Sequence, residues 1–236
     1  MTTRTSPSGL DLKGFQPPLK LAQFKLIAFD MDSTLINIEC IDEIADVVGL
    51  KAEVAAITEA TMRGEIADFK TSLRRRVALL KGARVQDMER VYAERLQLNP
   101  GAKELVTACK TVGMTVLLVS GGFTFFANRV AERLGIDYAK SNELEIANDV
   151  LTGCLVSQSW GDICDGEEKR KTLLETCALL GIEPSQSIAV GDGANDLPMM
   201  GAAGLSVAYH AKPIVREQAM VAINDGGLDR LLEVLI

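Results

Sequence analysis

The chain has 236 residues, 47% hydrophobic and 24% charged, so it suits one large α/β domain, or a core with an inserted subdomain, and is not disordered. The formal net charge of −7 provides no broad basic field, which excludes nucleic acid as a partner and requires local cations for any anionic substrate. Five cysteines (Cys40, Cys109, Cys154, Cys164, Cys177) form no Cys-x-x-Cys pair, so reduced thiols are expected rather than a disulfide framework or a zinc ribbon.

In chain order, Met1 to about Lys20 is rich in Ser, Thr, Pro and Gly, lacks the apolar run of a signal peptide, and reads as a loosely held extension. No stretch approaches the length of a bilayer span, so a cytoplasmic protein with no membrane partner is expected. Leu26–Phe29 is a short apolar strand that runs into Asp30-Met31-Asp32-Ser33-Thr34. A strand of this kind belongs inside a parallel sheet, whose ligands bind beyond the carboxyl ends of the strands. Two carboxylates one residue apart are costly to hold together without a cation, which points to a metal and a chemically active aspartate.

From about Cys40 to Leu98 no convincing strand occurs, and helical patterns such as Ile41–Val48 and Phe69–Leu80 dominate. This reads as a helical insertion over the strand ends, or else as an extension of the core layer. Asn99-Pro100-Gly101 then punctuates the return to the core. Further strands are expected at Thr115–Ser120, Ser187–Gly191 and Leu205–Ala208, and helices at Ala102–Thr111, Phe125–Leu134, Lys169–Leu180 and Ile214–Ala222. Strands alternating with helices predict a parallel sheet covered on both faces. Leu144–Leu155 reads as a hairpin turning at Asn148-Asp149.

Two later strand ends carry polar groups. Ser120-Gly121-Gly122 lets backbone approach a phosphate closely, although Gly-Gly after a strand is often only a turn. Gly191-Asp192-Gly193-Ala194-Asn195-Asp196 lacks the third glycine of a dinucleotide loop, so cation binding by carboxylate fits it better. Asp196 also reads as a first-turn acid on a helix dipole. In the insertion, a rotation of about 100° per residue puts Phe69, Leu73, Arg76 and Leu80 on one stripe, with Arg74 and Arg75 pointing away. An arginine centred on an apolar face must find a partner, either a ligand carboxylate or an acid of the insertion. The single His210 reads as packed or surface.

Together, Asp-x-Asp-Ser-Thr, Ser-Gly-Gly, a lysine opening a helix and Gly-Asp-Gly-x-Asn-Asp resemble the four motifs of the haloacid dehalogenase-like phosphatases. Phe29–Glu43 with its Ile-Glu-Cys-Ile-Asp-Glu-Ile, Ser-Leu-Arg-Arg-Arg-Val and Val-Ser-Gly-Gly-Phe resemble the phosphoserine phosphatase family more narrowly. The likeness runs from about Phe24 to Ile236, in the short form without a regulatory domain ahead of the core.

The resemblance implies an α/β fold, a Rossmann-like three-layer parallel-sheet core with a helical cap subdomain inserted after the first strand. The corresponding boundaries are an extension at 1–20, a core at 21–39 and 99–236, and a cap at 40–98. It further implies hydrolysis of O-phospho-L-serine to L-serine and phosphate, the last step of L-serine biosynthesis, in a monomer or homodimer. By resemblance, Asp30 is the nucleophile and Asp32 the general acid and base. Asp30, the Asp32 carbonyl and Asp192 hold one Mg²⁺ whose shell Asp196 orders, while Asn195 contacts substrate. Ser120, the Gly121 N–H and Lys169 meet the phosphoryl oxygens, with Lys171 as the alternative lysine. Glu39 accepts the ammonium, though it also reads as a helix-start acid, and Arg76 takes the carboxylate. Met62 and Phe69 line the pocket, or serve as helix core. A related phosphatase or phosphotransferase acting on another small phosphomonoester is the alternative.

Overall fold

The computed structural model describes residues 9–63 and 65–236, apart from the side chain of Met62. Its centre is a seven-stranded sheet in the order β1-β9-β8-β7-β2-β3-β4. The strands are β1 (Leu10–Leu12), β2 (Leu26–Phe29), β3 (Thr115–Phe123), β4 (Tyr138–Asn142), β7 (Ser187–Gly191), β8 (Leu205–Tyr209) and β9 (Val221–Ile223). All neighbouring pairs are parallel except β1 with β9.

Because side chains alternate across a strand, each central strand feeds two separate apolar layers. Ile27, Phe29, Val116, Leu118, Ile188 and Val190 join one core. Leu26, Ala28, Leu117, Val119 and Ala189 join the other. The first layer packs α5 (Ala102–Thr111) and α6 (Thr124–Leu134) through Leu105, Val106, Phe126 and Val130. The second packs α7 (Gly166–Leu180), α8 (Leu197–Ala202) and α9 (Pro213–Gln218) through Leu173, Cys177, Met199, Met200 and Val215. The result is the expected three-layer α/β architecture.

Between β2 and α5 the chain forms four helices: α1 (Cys40–Val47), α2 (Lys51–Met62), α3 (Phe69–Leu79) and α4 (Val85–Glu94). Asp68 caps α3 by accepting from the Thr71 N–H at 2.8 Å, which fixes where that helix begins. The hairpin β5 (Leu144–Ala147) and β6 (Val150–Leu155) turns as expected at Asn148 and Asp149, with φ of 52° and 61°. It is not isolated, because the Leu151 N–H donates to the Ala83 carbonyl at 2.8 Å and the Gly82 N–H to the Leu151 carbonyl at 2.9 Å.

Two expectations are corrected. The N-terminal segment is not wholly a loose extension: Leu10, Asp11 and Leu12 pair with Ile223, Ala222 and Val221, and Leu10 is buried. The helix expected over Ile214–Ala222 stops at Gln218, and Val221–Ile223 becomes a strand between β8 and β1. Three apolar residues fit either structure locally, and the open edge of β8 decides the outcome. All five cysteines are free, with Cys154 exposed and the others buried. No helix among the described residues is long and apolar enough to cross a membrane.

Candidate active site

Four chain segments meet beyond the carboxyl ends of β2, β3 and β7, as the switch in strand order around β2 leads one to expect. A cavity of about 930 Å³ opens there, lined from the core by Asp30, Asp32, Gly121, Gly122, Asp192, Asn195 and Lys212, and from the helical segment by Glu39, Asp42, Phe69 and Arg76. Ser120, Lys169 and Asp196 lie immediately behind this wall, all fully buried.

After β2 the backbone makes a wide turn over Met31–Leu35, with Ser33 at the left-handed φ of 56°. Such a conformation is unusual for serine and is tolerated where the surroundings hold it. The Ser33 hydroxyl donates to Glu39 Oε1 at 2.7 Å, and the Ser33 N–H to the Ile38 carbonyl at 3.2 Å. The turn thereby presents both aspartates to the cavity. Asp32 Oδ1 accepts from the Cys40 N–H at the start of α1 at 2.9 Å. Its Oδ2 faces Gly122, where a side chain cannot stand: a Cβ there would lie 2.5 Å from that oxygen.

The Ser120–Gly122 segment bulges. Between the pairs Val119–Lys140 and Phe123–Asn142, three residues of β3 face one of β4. The Gly122 N–H donates to Ser120 Oγ at 2.8 Å, and Asn142 Nδ2 donates to the Gly121 carbonyl at 2.8 Å. The Phe69 ring lies against Gly121, with its Cζ 2.9 Å from where a Cβ would be, so the helical segment closes directly onto this turn.

Lys169 is a fully buried charge held by two carboxylates. Its Nζ donates to Asp30 Oδ1 at 2.5 Å and to Asp196 Oδ1 at 2.7 Å. Lys171 instead lies half exposed, with Glu168 and Glu175 at 3.6 and 3.8 Å. Asp196 Oδ2 accepts from the Asp192 and Gly193 N–H groups at 3.1 and 3.0 Å. Asp196 thus gives one oxygen to Lys169 and the other to the loop backbone.

Carboxylate oxygens of Asp30, Asp192 and Asp196 lie within 4.8 Å of one another. One ammonium cannot offset three carboxylates, and the surplus shows in their acidities. Burial first, then Asp196 and Glu39, push Asp192 up to about 7. Burial, then Asp196, also raise Asp30, opposed by Lys169. Burial alone would discharge Lys169, but Asp196 and Asp30 outweigh it and hold the lysine charged. Two excess negative charges on hard oxygens fit a divalent oxygen-seeking cation such as Mg²⁺.

The two recognition residues stand on the helical side. Glu39 opens onto the cavity, yet the surrounding protein mass, with Asp32, raises its carboxyl to about 7. It stands at the N-cap position of α1, as the helix-start alternative has it, but its side chain makes no capping hydrogen bond. Arg76 makes no ion pair among the described residues; its Nε is buried without an acceptor, and Asp42 Oδ1 in the same cavity is buried without a donor. Burial lowers the Arg76 pKa, while Asp42 and then Glu39 oppose the loss of charge. A guanidinium that is desolvated, charged and unpaired lacks an acceptor that a ligand can supply. Arg74, by contrast, pairs outward with Asp162. Asn195 reaches the cavity wall, and the Met62 side chain lies outside the described residues.

Sequence reasoning missed Lys212, Asp42, Asn142 and Thr34, whose hydroxyl donates to Asp192 Oδ1 at 3.3 Å. Asp42 carried a signal, since it lies three residues from Glu39 at the same helix start. Lys212 and Asn142 carried none, because their place depends on which strands become neighbours.

A family profile described as haloacid dehalogenase-like hydrolase matches residues 27–201. The chain is 71% identical over 233 residues to a phosphoserine phosphatase of Polaromonas sp., covering 99% of this chain and 98% of that one. It is 47% identical to the phosphoserine phosphatase of Idiomarina loihiensis, covering 89% and 91%. Among solved structures, a substrate-bound phosphoserine phosphatase superposes with a TM-score of 0.82 at 39% identity, covering 90% of this chain and 99% of that one. A phospho-aspartyl intermediate analogue of phosphoserine phosphatase gives the same TM-score of 0.82 and 39% identity.

Proposed function

This chain belongs to the haloacid dehalogenase-like hydrolases, and from that premise we propose that it hydrolyses O-phospho-L-serine to L-serine and phosphate. The observation that carries the substrate is the presence in one cavity of a carboxylate, Glu39, and of the Arg76 guanidinium, whose buried Nε has no acceptor, beside the Gly121-Gly122 turn. An ammonium, a carboxylate and a phosphoryl group each then meet the opposite charge. In this reading residues 40–98 act as a cap that carries recognition, and residues 21–39 and 99–236 carry the chemistry. The reaction is the last step of L-serine synthesis, in the cytoplasm.

Asp30 attacks phosphorus in line with the serine oxygen. The new P–O bond forms on its carboxylate as the bond to serine breaks, giving an aspartyl-phosphate. Lys169 orients Asp30 for this and opposes the rise that burial and Asp196 impose on its carboxyl, and it faces the charge of the transferring group. Serine alkoxide is a poor leaving group, so Asp32 delivers a proton to it from Oδ2, the oxygen not engaged by the Cys40 N–H. Burial raises the pKa of Asp32, which suits a carboxyl that carries a proton. The same oxygen then takes a proton from water as that water attacks phosphorus and frees Asp30. Asp30, Asp192 and the Asp32 carbonyl would hold Mg²⁺, which would supply positive charge to offset that of the phosphoryl oxygens. Asp196 orients its neighbours rather than binding directly. Ser120, the Gly121 N–H and Asn195 complete the phosphate and substrate contacts, and Met62 and Phe69 exclude water.

The test compares Arg76→Ala with the parent on phosphoserine and on an aryl phosphate lacking amino and carboxylate groups. A buried guanidinium–carboxylate contact is worth about 2–5 kcal/mol, so kcat/KM for phosphoserine falls by roughly 30- to several-thousand-fold. The aryl ester is expected to lose far less; equal losses overturn the recognition role. Asp30→Asn abolishes phosphate release on both substrates with folding retained by circular dichroism.

A further inference from the structure

The short segment Asp162–Asp165 touches all three parts of the site. The Cys164 N–H donates to Asn142 Oδ1 at 2.8 Å, and Asn142 in turn holds the Gly121 carbonyl. Asp165 caps α7, the helix that carries Lys169, by accepting from the Glu168 N–H at 2.9 Å. The third contact is with α3. Arg74 Nη2 reaches both carboxylate oxygens of Asp162 at 2.6 Å, and Lys70 Nζ lies 3.3 Å from Asp165 Oδ2.

Lys70 and Arg74 stand four residues apart and share one face of α3, whereas Arg76 lies about 200° around the helix from Arg74. One flank of α3 therefore bears two cations toward two aspartates while another bears Arg76 toward the cavity. We propose that Lys70, Arg74, Asp162 and Asp165 form a clasp that sets the position of Arg76 and Phe69 over the Gly121 turn. They are positioning residues, since none of the four touches the reacting atoms. The clasp rests on the reading of Arg76 given above. Its chemistry is directional: Asp165 meets Lys70 through Oδ2 and caps α7 through Oδ1, so the seat of α3 is fixed relative to the N-terminus of the Lys169 helix itself. Both ion pairs are partly exposed, with Arg74 and Asp162 side chains 51% and 55% accessible, so each contributes modestly and is screened by salt.

The neutral variants Arg74→Gln and Asp162→Asn keep surface shape and folding, and each is expected to raise KM for phosphoserine about 2–5-fold while kcat stays within about 2-fold. Asp165→Asn, which keeps a capping oxygen but loses the charge, behaves likewise. The aryl phosphate, which does not use Arg76, shows a smaller KM change. The decisive arm is the exchanged pair, Arg74→Asp with Asp162→Arg. Each reversal alone raises KM by more than its neutral counterpart, and the pair together returns KM toward the parent. A merely structural role moves both substrates equally and is not rescued by exchange. Neutral variants with unchanged KM, or an exchanged pair no better than the worse single reversal, overturn the clasp. Arg76→Ala distinguishes the two ideas: if it spares phosphoserine turnover the substrate reading fails, whereas failed exchange with a selective Arg76 effect defeats only the clasp.

Discussion

Lys169 illustrates how a single residue can be placed by sequence yet explained only by structure. Its side chain is fully buried, and burial of an ammonium is tolerated because Asp30 and Asp196 accept from it at 2.5 and 2.7 Å. The sequence offered Lys169 and Lys171 on one helix start, and nothing in the local pattern says which of the two turns inward. Glu39 gives the residue-scale prediction. Its carboxyl is raised to about 7 from an ordinary 4.5, so it takes up a proton as pH falls through 7 and loses the charge that meets an ammonium. KM for phosphoserine is therefore expected to rise below about pH 7, and that rise disappears in Glu39→Gln, whose KM is high throughout. The aryl phosphate serves as the control for other ionisations; an equal rise for it would assign the effect elsewhere.

At the scale of elements, periodic helices and buried apolar strands were readable, and short strands at the edges of the sheet were not. The helices over Ala102–Thr111 and Thr124–Leu134 announce themselves by apolar spacing that matches the residues they bury. β4, with the sequence Tyr-Ala-Lys-Ser-Asn, shows no such signal because it is an edge strand with its first two residues exposed. β1 and β9 are three residues each, and both exist only because they complete the sheet beyond β8. Leu10 is the buried anchor of that edge. Leu10→Ala is expected to cost about 2–3 kcal/mol, seen as a fall in Tm of roughly 4–12 °C with kcat/KM nearly unchanged. A Tm within a degree of the parent would show that β1 contributes nothing to the edge.

For the whole molecule, the cluster of Asp30, Asp192 and Asp196 makes folding and cation binding one problem. Asp192 is raised from 3.8 to about 7, so between those values the native state holds a proton that the unfolded state has lost. Stability of the metal-stripped protein therefore falls as pH rises through that window, and the contribution is gone above about pH 7. Added Mg²⁺ binds the native state only, raising Tm most where the carboxylates are ionised. Thermal melts in EDTA and in Mg²⁺ from pH 5 to 8 are expected to diverge as pH rises; parallel curves would remove these carboxylates as the cation site.

By itself the sequence determined the three-layer α/β architecture, the helical segment after the first strand, and the strand-end aspartates Asp30, Asp32 and Asp192, because each rests on a local pattern: an apolar strand, a period of 3.6, an aspartate where a strand runs out. It also singled out Arg76, since a helix converts spacing into facing within a few residues. Tertiary structure alone decided that Lys169 rather than Lys171 meets Asp30, that Asp196 divides its oxygens between Lys169 and the loop, that Lys212 and Asp42 line the cavity, and that Asn142 holds the Gly121 carbonyl. It alone turned Val221–Ile223 into a strand and seated α3 through Arg74 and Asp162. These outcomes depend on partners as many as 213 residues away. Which groups become neighbours across a sheet is fixed by the packing of whole layers, and no local window of residues contains that information.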